Sequence, residues 1–190
     1  MFYNKVKGVA KCLAHLMYRY DVSGLENIPT DGPFLLCGNH IHWLDPIVVA
    51  VFPQRQLRFI AKKELFKNRI FGAFLKKMGA FPIDRSTTDM QAFRNTMNAL
   101  KEGYGVLIFS QGTRMEAFEN AKSGVALFAL KSGAPIVPVG IKGTYRFRSK
   151  VQIKVGKPMS MAQYQGQKFK TEDVNQVMSD LSTHINALLK

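Results

Sequence analysis

Acidic residues are scarce in this chain of 190 residues. Thirteen Asp and Glu stand against 27 Lys and Arg, a formal net charge of +14 at pH 7. Such a surface seeks an anionic partner: nucleic acid, anionic lipid or a phosphorylated substrate. Cysteine is scarce too. Cys12 and Cys37 are the only two, and both fall in segments that read as regular elements. That excludes a disulfide framework and fits reduced thiols in the cytosol. No uninterrupted apolar stretch approaches 18 residues, which argues against a bilayer-spanning helix, and the N-terminus lacks a secretory apolar region. No Gly-x-Ser-x-Gly elbow is present, so nothing supports a nucleophilic serine. Internal repeats and low-complexity linkers are also missing. What remains, 46% apolar and 21% charged, is ordinary globular material, long enough for one domain with a sizeable core.

The chain is organised around Gly38-Asn39-His40-Ile41-His42-Trp43-Leu44-Asp45-Pro46. Phe34-Leu35-Leu36-Cys37 before it reads as a buried strand, and the apolar run from Pro46 to Phe52 after it as a short helix. Asp45 suits a cap, and Pro46 the first helical position. On one continuous helix, five residues would turn His40 and Asp45 roughly 140° apart. Across a strand–turn–helix corner they can meet. A carboxylate accepting one imidazole N–H fixes the tautomer and leaves the other ring nitrogen as a base that activates a hydroxyl or a water. Two plainer readings stand beside this one. Asp45 caps its helix and His40 is a satisfied loop histidine, or His40-x-His42 contributes to a metal site. The second is short of ligands, because His15 and His184 lie in terminal helices and a zinc site needs about three or four.

Residues 2–20 carry a helical stripe of Phe2, Val6, Val9, Leu13, Leu16 and Tyr20, with Tyr3, Ala10 and Met17 beside it and Lys5, Lys7, Lys11 and Arg19 on other faces. It reads either as a helix packed on the core or as a basic amphipathic helix in a membrane interface, and edge-on packing would satisfy both. We therefore expect an interfacial helix over 1–20 and a single domain over 21–190. Asp21 to Pro33 reads as turns. Strands are expected at 56–61, 79–85, 106–109, 135–141 and 151–155, the last near a sheet edge. Helices are expected at 63–78, 90–100, 124–131 and from Thr171, the last burying Val174, Val177, Met178, Leu181, Ile185 and Leu188. Lys62 and the 63–78 segment together mix six bases with Phe66, Phe71 and Phe74, which suits contact with lipid as well as a solvated basic face.

Strands alternating with helices imply an α/β fold: one mixed, largely parallel sheet flanked by helices. Ligands of such sheets bind beyond the strand carboxyl ends. Three of those ends carry polar clusters here, His40/Asp45, Asp84/Arg85 and Gln111/Arg114. One base and two arginines at a common rim suit an alcohol that bears a phosphate.

Asn39-His40-x4-Asp45, Gly79-x-Phe81-x-Ile83-Asp84-Arg85, Phe109-x-Gln111-Gly112-Thr113-Arg114 and Ile136-Val137-Pro138-Val139 resemble, in order and approximate spacing, the four motif blocks of the glycerolipid acyltransferases, most of all the short bacterial 1-acylglycerol-3-phosphate enzymes. The similarity spans roughly residues 20 to 160. It implies that His40, oriented by Asp45, deprotonates the sn-2 hydroxyl of a lysophosphatidic acid, which attacks an acyl thioester of coenzyme A or acyl carrier protein. It implies that Arg85 and Arg114 bind the glycerol phosphate, with Asn39, Gln111, Gly112 and Thr113 shaping the substrate site, and that the fourth block lies near the acyl donor. No metal or redox cofactor is implied. A diacyl product belongs in a bilayer, so the expected place is the cytoplasmic side of the cell membrane, bound peripherally to its anionic surface. One position departs: the third block normally has glutamate where this chain has Gln111. An amide keeps donors and an acceptor but loses the charge, which bears on acceptor choice more than on the reaction. Another lysolipid acceptor is the nearer alternative. A non-catalytic basic module is the more distant one, and nucleic acid is not expected because no compact recognition motif is present.

Overall fold

In the computed structural model, which describes residues 2–83, 90–111 and 124–190, seven strands form one sheet in the order β1-β7-β6-β2-β5-β3-β4. They are β1 (Arg19–Ser23), β2 (Phe34–Asn39), β3 (Leu57–Lys62), β4 (Ala80–Ile83), β5 (Gly105–Gln111), β6 (Ile136–Gly143) and β7 (Lys150–Val155). The ladder is parallel from β6 through β2, β5 and β3 to β4. It reverses only where β6 meets β7, and β1 then runs parallel to β7. The helices are α1 (Phe2–Met17), α2 (Asp45–Val51), α3 (Arg69–Lys77), α4 (Met90–Lys101), α5 (Gly124–Ser132) and α6 (Thr171–Leu188). The expected mixed, largely parallel α/β sheet is therefore the architecture.

β2 is central, and its six residues are all buried. A continuous apolar run does this when both faces of a parallel sheet are covered. Leu35 and Cys37 point into a core shared with Leu100 of α4, with α5, and with Val174, Val177, Leu181 and Ile185 of α6. Phe34 and Leu36 point the other way, into a core shared with Val48 and Val49 of α2, Tyr18, and β5, β6 and β7. Gly38, next on that second face, lies so close to β6 that a Cβ would stand 2.9 Å from the Val139 carbonyl oxygen. Glycine is what lets the two strands converge just before His40.

Two expectations change. Arg19–Ser23 is a strand, not the end of a helix and the start of a turn region; the helix stops at Met17, and Tyr20 faces the core from β1. β1 escapes a local reading because its alternation is half polar and its partner β7 lies some 130 residues downstream. The 63–78 segment is divided: Lys63–Phe66 is a 3-10 turn, and Asn68 starts α3 by accepting the Ile70 and Phe71 N–H groups at 3.1 and 3.0 Å. As the edge-on alternative has it, α1 packs on α2 through its half-buried Tyr3, Val6, Ala10 and Ala14, and buries no residue fully. Most of its apolar stripe, Phe2, Val9, Leu13 and Leu16, is exposed. The packing is edge-on.

Gly38→Ala should destabilise the fold by about 1–3 kcal/mol, the usual cost of forcing a methyl group into a packed interior. Thermal or urea unfolding reads this directly, and an unchanged stability would contradict the close β2–β6 approach.

Candidate active site

β2 ends at Asn39, and the chain turns sharply into α2. Asn39 is buried, and its side-chain amide continues the ladder as a peptide would: Nδ2 donates to the Ile141 carbonyl at 2.8 Å, and Oδ1 accepts the Ile141 N–H at 2.7 Å. These bonds hold β6 against β2 after backbone pairing has ended at Gly38 and Val139. Asn39 was expected among the substrate residues; its amide is instead engaged in bracing the strand end.

His40 follows. Its Nδ1 lies 2.8 Å from Asp45 Oδ2. The same oxygen accepts the Ile41 and His42 N–H groups, both at 2.7 Å. Asp45 is thus not the cap of its own helix, whose flanking residue is Leu44 with no side-chain cap. It reaches backward and ties the turn. Its other oxygen, Oδ1, accepts the Tyr145 hydroxyl at 2.5 Å. Asp45 is fully buried at 0% exposure, while the His40 side chain keeps 34%. Burial by itself would push the carboxyl pKa up. The bonds from His40 and Tyr145 and the two backbone N–H groups outweigh it and hold Asp45 below the ordinary carboxylate range. The carboxylate is ionised, anchored and acceptor-only, so the His40 Nδ1 that meets it carries the hydrogen. Nε2 is then the basic nitrogen, on a ring that solvent reaches.

The ring is braced from the sheet. It stacks on Phe109 of β5, centroids 4.7 Å apart and planes at 28°. On the β6 side, His42 stacks on Tyr145 at 4.4 Å and 17°. Burial pushes the Tyr145 hydroxyl well above its ordinary range, and its bond to Asp45 adds to this, so it remains a neutral donor. No three His, Cys, Asp or Glu side chains among the described residues are placed to share a metal ion. His42, the other half of the spacing that suggested one, is turned onto Tyr145.

An imidazole locked by a buried carboxylate at the carboxyl rim of a parallel sheet can activate a hydroxyl, and comparison with known proteins bears on which chemistry this is. The model of the Acyltransferase family matches residues 19–142. The chain belongs to the acyltransferase family. It is 33% identical to a 1-acyl-sn-glycerol-3-phosphate acyltransferase of Bacillus subtilis over 86% of this chain and 88% of that one. To the enzyme of the same name from Streptococcus pneumoniae it is 30% identical, over 99% and 73%. The crystal structure of the 1-acyl-sn-glycerophosphate (LPA) acyltransferase PlsC of Thermotoga maritima superposes with a TM-score of 0.73 over 98% of this chain and 78% of that one; at 23% identity this shows the shared fold.

As an acyltransferase, the chain keeps His40 and Asp45 in contact. Arg85, Gly112, Thr113 and Arg114 lie outside the described residues, and Gln111 is described in its backbone only, paired beside Asn39. The last described residues before those segments, Ile83 and Gln111, end parallel strands on the rim where His40 stands. The fourth block is the buried strand its apolar run suggests: Ile136, Val137 and Val139 lie in the two cores. What β6 brings to the site is the Ile141 backbone and, just beyond the strand, Tyr145. Sequence reasoning missed Tyr145 and Phe109 as site residues. Their positions beyond or within strands were legible, but not that those two strands flank β2.

Because Asp45 titrates lower in the folded chain than its ordinary value of about 3.9, its ionised form stabilises the fold above that pH, and this contribution is lost as pH falls through the folded value. Asp45→Asn should lower stability near neutrality and flatten the acid limb of a stability–pH curve below about pH 5. An acid limb of unchanged slope would contradict the carboxylate's ionised, buried state.

Proposed function

We propose that the chain moves a fatty acyl group from an acyl thioester, acyl-CoA or acyl carrier protein, to the sn-2 hydroxyl of 1-acylglycerol 3-phosphate, forming phosphatidic acid. The observation that carries the reading is the His40–Asp45 contact, which presents Nε2 as a base beside the rim of a family fold. The acceptor is taken from the names of the relatives. His40 Nε2 removes the hydroxyl proton as the oxygen attacks the thioester carbonyl. The tetrahedral intermediate collapses with cleavage of the C–S bond, and the proton held on His40 passes to the departing thiolate. Asp45 stays ionised throughout and stabilises the imidazolium. Arg85 and Arg114 are assigned to the acceptor phosphate, which a planar guanidinium suits. The missing charge at Gln111 makes another lysolipid acceptor the second reading.

A bilayer-facing orientation belongs to the same proposal. The strongly exposed large apolar residues of the described chain are Phe2, Val9, Leu13, Leu16 and Met17 of α1, Ile41, Trp43 and Ile47 around the His40 turn, Leu65 and the α3 residues Ile70, Phe71 and Phe74, Phe147 after β6, and Met90. All but Met90 come from α1, the His40 turn and α2, α3 with its preceding turn, or the segment beyond β6; none comes from α5 or α6. α1 and α3 meet at their ends, where Lys77 Nζ stands 5.4 Å over the Phe2 ring. Lysines and arginines interleave with these apolar groups, as at an anionic lipid surface. Among the described residues, no helix is long and apolar enough to cross a membrane.

Acyl transfer to 1-acylglycerol 3-phosphate in liposomes, with both donors in parallel, tests the reaction. His40→Ala should lose about 10³-fold or more in kcat with the fold intact. Retention of most activity would contradict the mechanism, and folded wild type making no product with either donor would favour a different acceptor. Leu13→Glu with Leu16→Glu should weaken co-sedimentation with phosphatidylglycerol vesicles severalfold, since each charge must enter the interface. Unchanged binding would place the membrane contact elsewhere.

A further inference from the structure

The Asp45 carboxylate is held on two sides. Its Oδ2 collects the His40 ring and two backbone N–H groups, and its Oδ1 is met by the Tyr145 hydroxyl, the one donor to that oxygen among the described residues. We propose that Tyr145 is a positioning residue for acyl transfer, fixing the carboxylate through Oδ1 and drawing charge from it, and so setting both the orientation and the basicity of His40. The proposal rests on the reading of His40 as the base.

The Tyr145 ring has little freedom to deliver its hydroxyl anywhere else. His42 lies parallel to it at 4.4 Å, and Tyr18 meets it edge-on at 5.3 Å and 83°. Tyr18 is itself buried and lies just past the end of α1. The neighbouring Arg148 N–H donates to the Met17 carbonyl at 2.7 Å, tying the segment that carries Tyr145 to the same helix end. Tyr145 thus stands between that helix end and the turn that holds the base.

Removing one donor has a sign. A buried carboxylate with fewer hydrogen bonds concentrates its charge on the partners that remain, so the imidazolium form of His40 is favoured. The titration midpoint of His40 rises, less of it is neutral at pH 7, and the lost activity returns as pH rises. The titratable groups that the described residues place around this pair are His42 on the turn, Tyr145 itself, and Tyr18 and Tyr20 from the segment after α1, with His15 against the Tyr20 ring. Burial beside Tyr18 and Asp45 pushes Tyr20 up to about 12, so it stays neutral across the working range.

Tyr145→Phe keeps both ring contacts and deletes only the hydroxyl. The test is histidine-detected nuclear magnetic resonance of the full chain in micelles, with kinetic pH profiles for acyl transfer to 1-acylglycerol 3-phosphate, on wild type, Tyr145→Phe and His40→Ala. The expected result is a His40 midpoint, and an acid limb of kcat/KM, raised by about half to one pH unit. kcat at pH 7 should fall, by at most the roughly tenfold that a one-unit shift allows, KM should hold, and the rate should return to within about twofold at pH 9. A midpoint and limb that do not rise, or a loss that high pH does not recover, overturns the proposal. If Tyr145→Phe does not fold, the wild-type Tyr145 hydroxyl proton decides: protection from solvent exchange supports the bond, and free exchange overturns it. An active His40→Ala would remove the base reading and this proposal with it. An inactive His40→Ala beside an unshifted Tyr145→Phe would remove this proposal alone.

Discussion

A carboxylate without water is the constraint on which the site depends. Burying an isolated charge costs several kcal/mol even after relaxation. Asp45 is fully buried and meets that cost with four hydrogen bonds, two from backbone N–H groups, one from His40 and one from Tyr145. The bonds fix its geometry as well as its charge. Ile41 and His42 are locked in the turn by the same oxygen that orients the imidazole. The structure of the turn and the orientation of the His40 imidazole are therefore one property, and a substitution at Asp45 cannot loosen one without the other.

The sheet delivers this arrangement by convergence at the carboxyl end of β2. Gly38 lets β6 approach, Asn39 continues the ladder with its side chain, and the chain then departs at His40. β5 supplies Phe109 on one flank and the segment after β6 supplies Tyr145 on the other. The reversal of β7 and β1 lies on the far side of β6 and leaves this rim parallel. On the reading of His40 as a general base, the mechanism needs little else from the fold beyond substrate binding: a fixed tautomer and a basic nitrogen that the acceptor can reach.

Much of this was legible in the residues because it is local. The buried run Phe34–Cys37 announces a central strand, Asp45-Pro46 announces a helix start, and the four- and three-residue steps from Val174 to Ile185 fix the buried face of α6. Five residues across a strand–helix corner allow His40 and Asp45 to meet, and in the fold they do. What stayed hidden depends on partners distant in sequence. β1 is recognisable only beside β7, and Asn39 looks like a substrate ligand until Ile141, 102 residues later, occupies its amide. Tyr145 is an ordinary loop tyrosine until β6 is known to flank β2. The stripe on α1 left two readings open for a different reason. Periodicity shows that a helix has an apolar side, but not whether protein or lipid covers it. Here protein takes the neighbouring face of Tyr3, Val6, Ala10 and Ala14, and leaves Val9, Leu13 and Leu16 outward.

The central claim is that Asp45 fixes the imidazole of His40 with hydrogen on Nδ1 and the lone pair on Nε2. The most direct measurement is the pair of ring ¹⁵N chemical shifts of His40 in the resting protein near pH 8, where an ordinary imidazole is neutral. The account predicts a protonated Nδ1 and a bare, pyridine-like Nε2. The opposite tautomer, or a rapidly averaging mixture of the two, would contradict it.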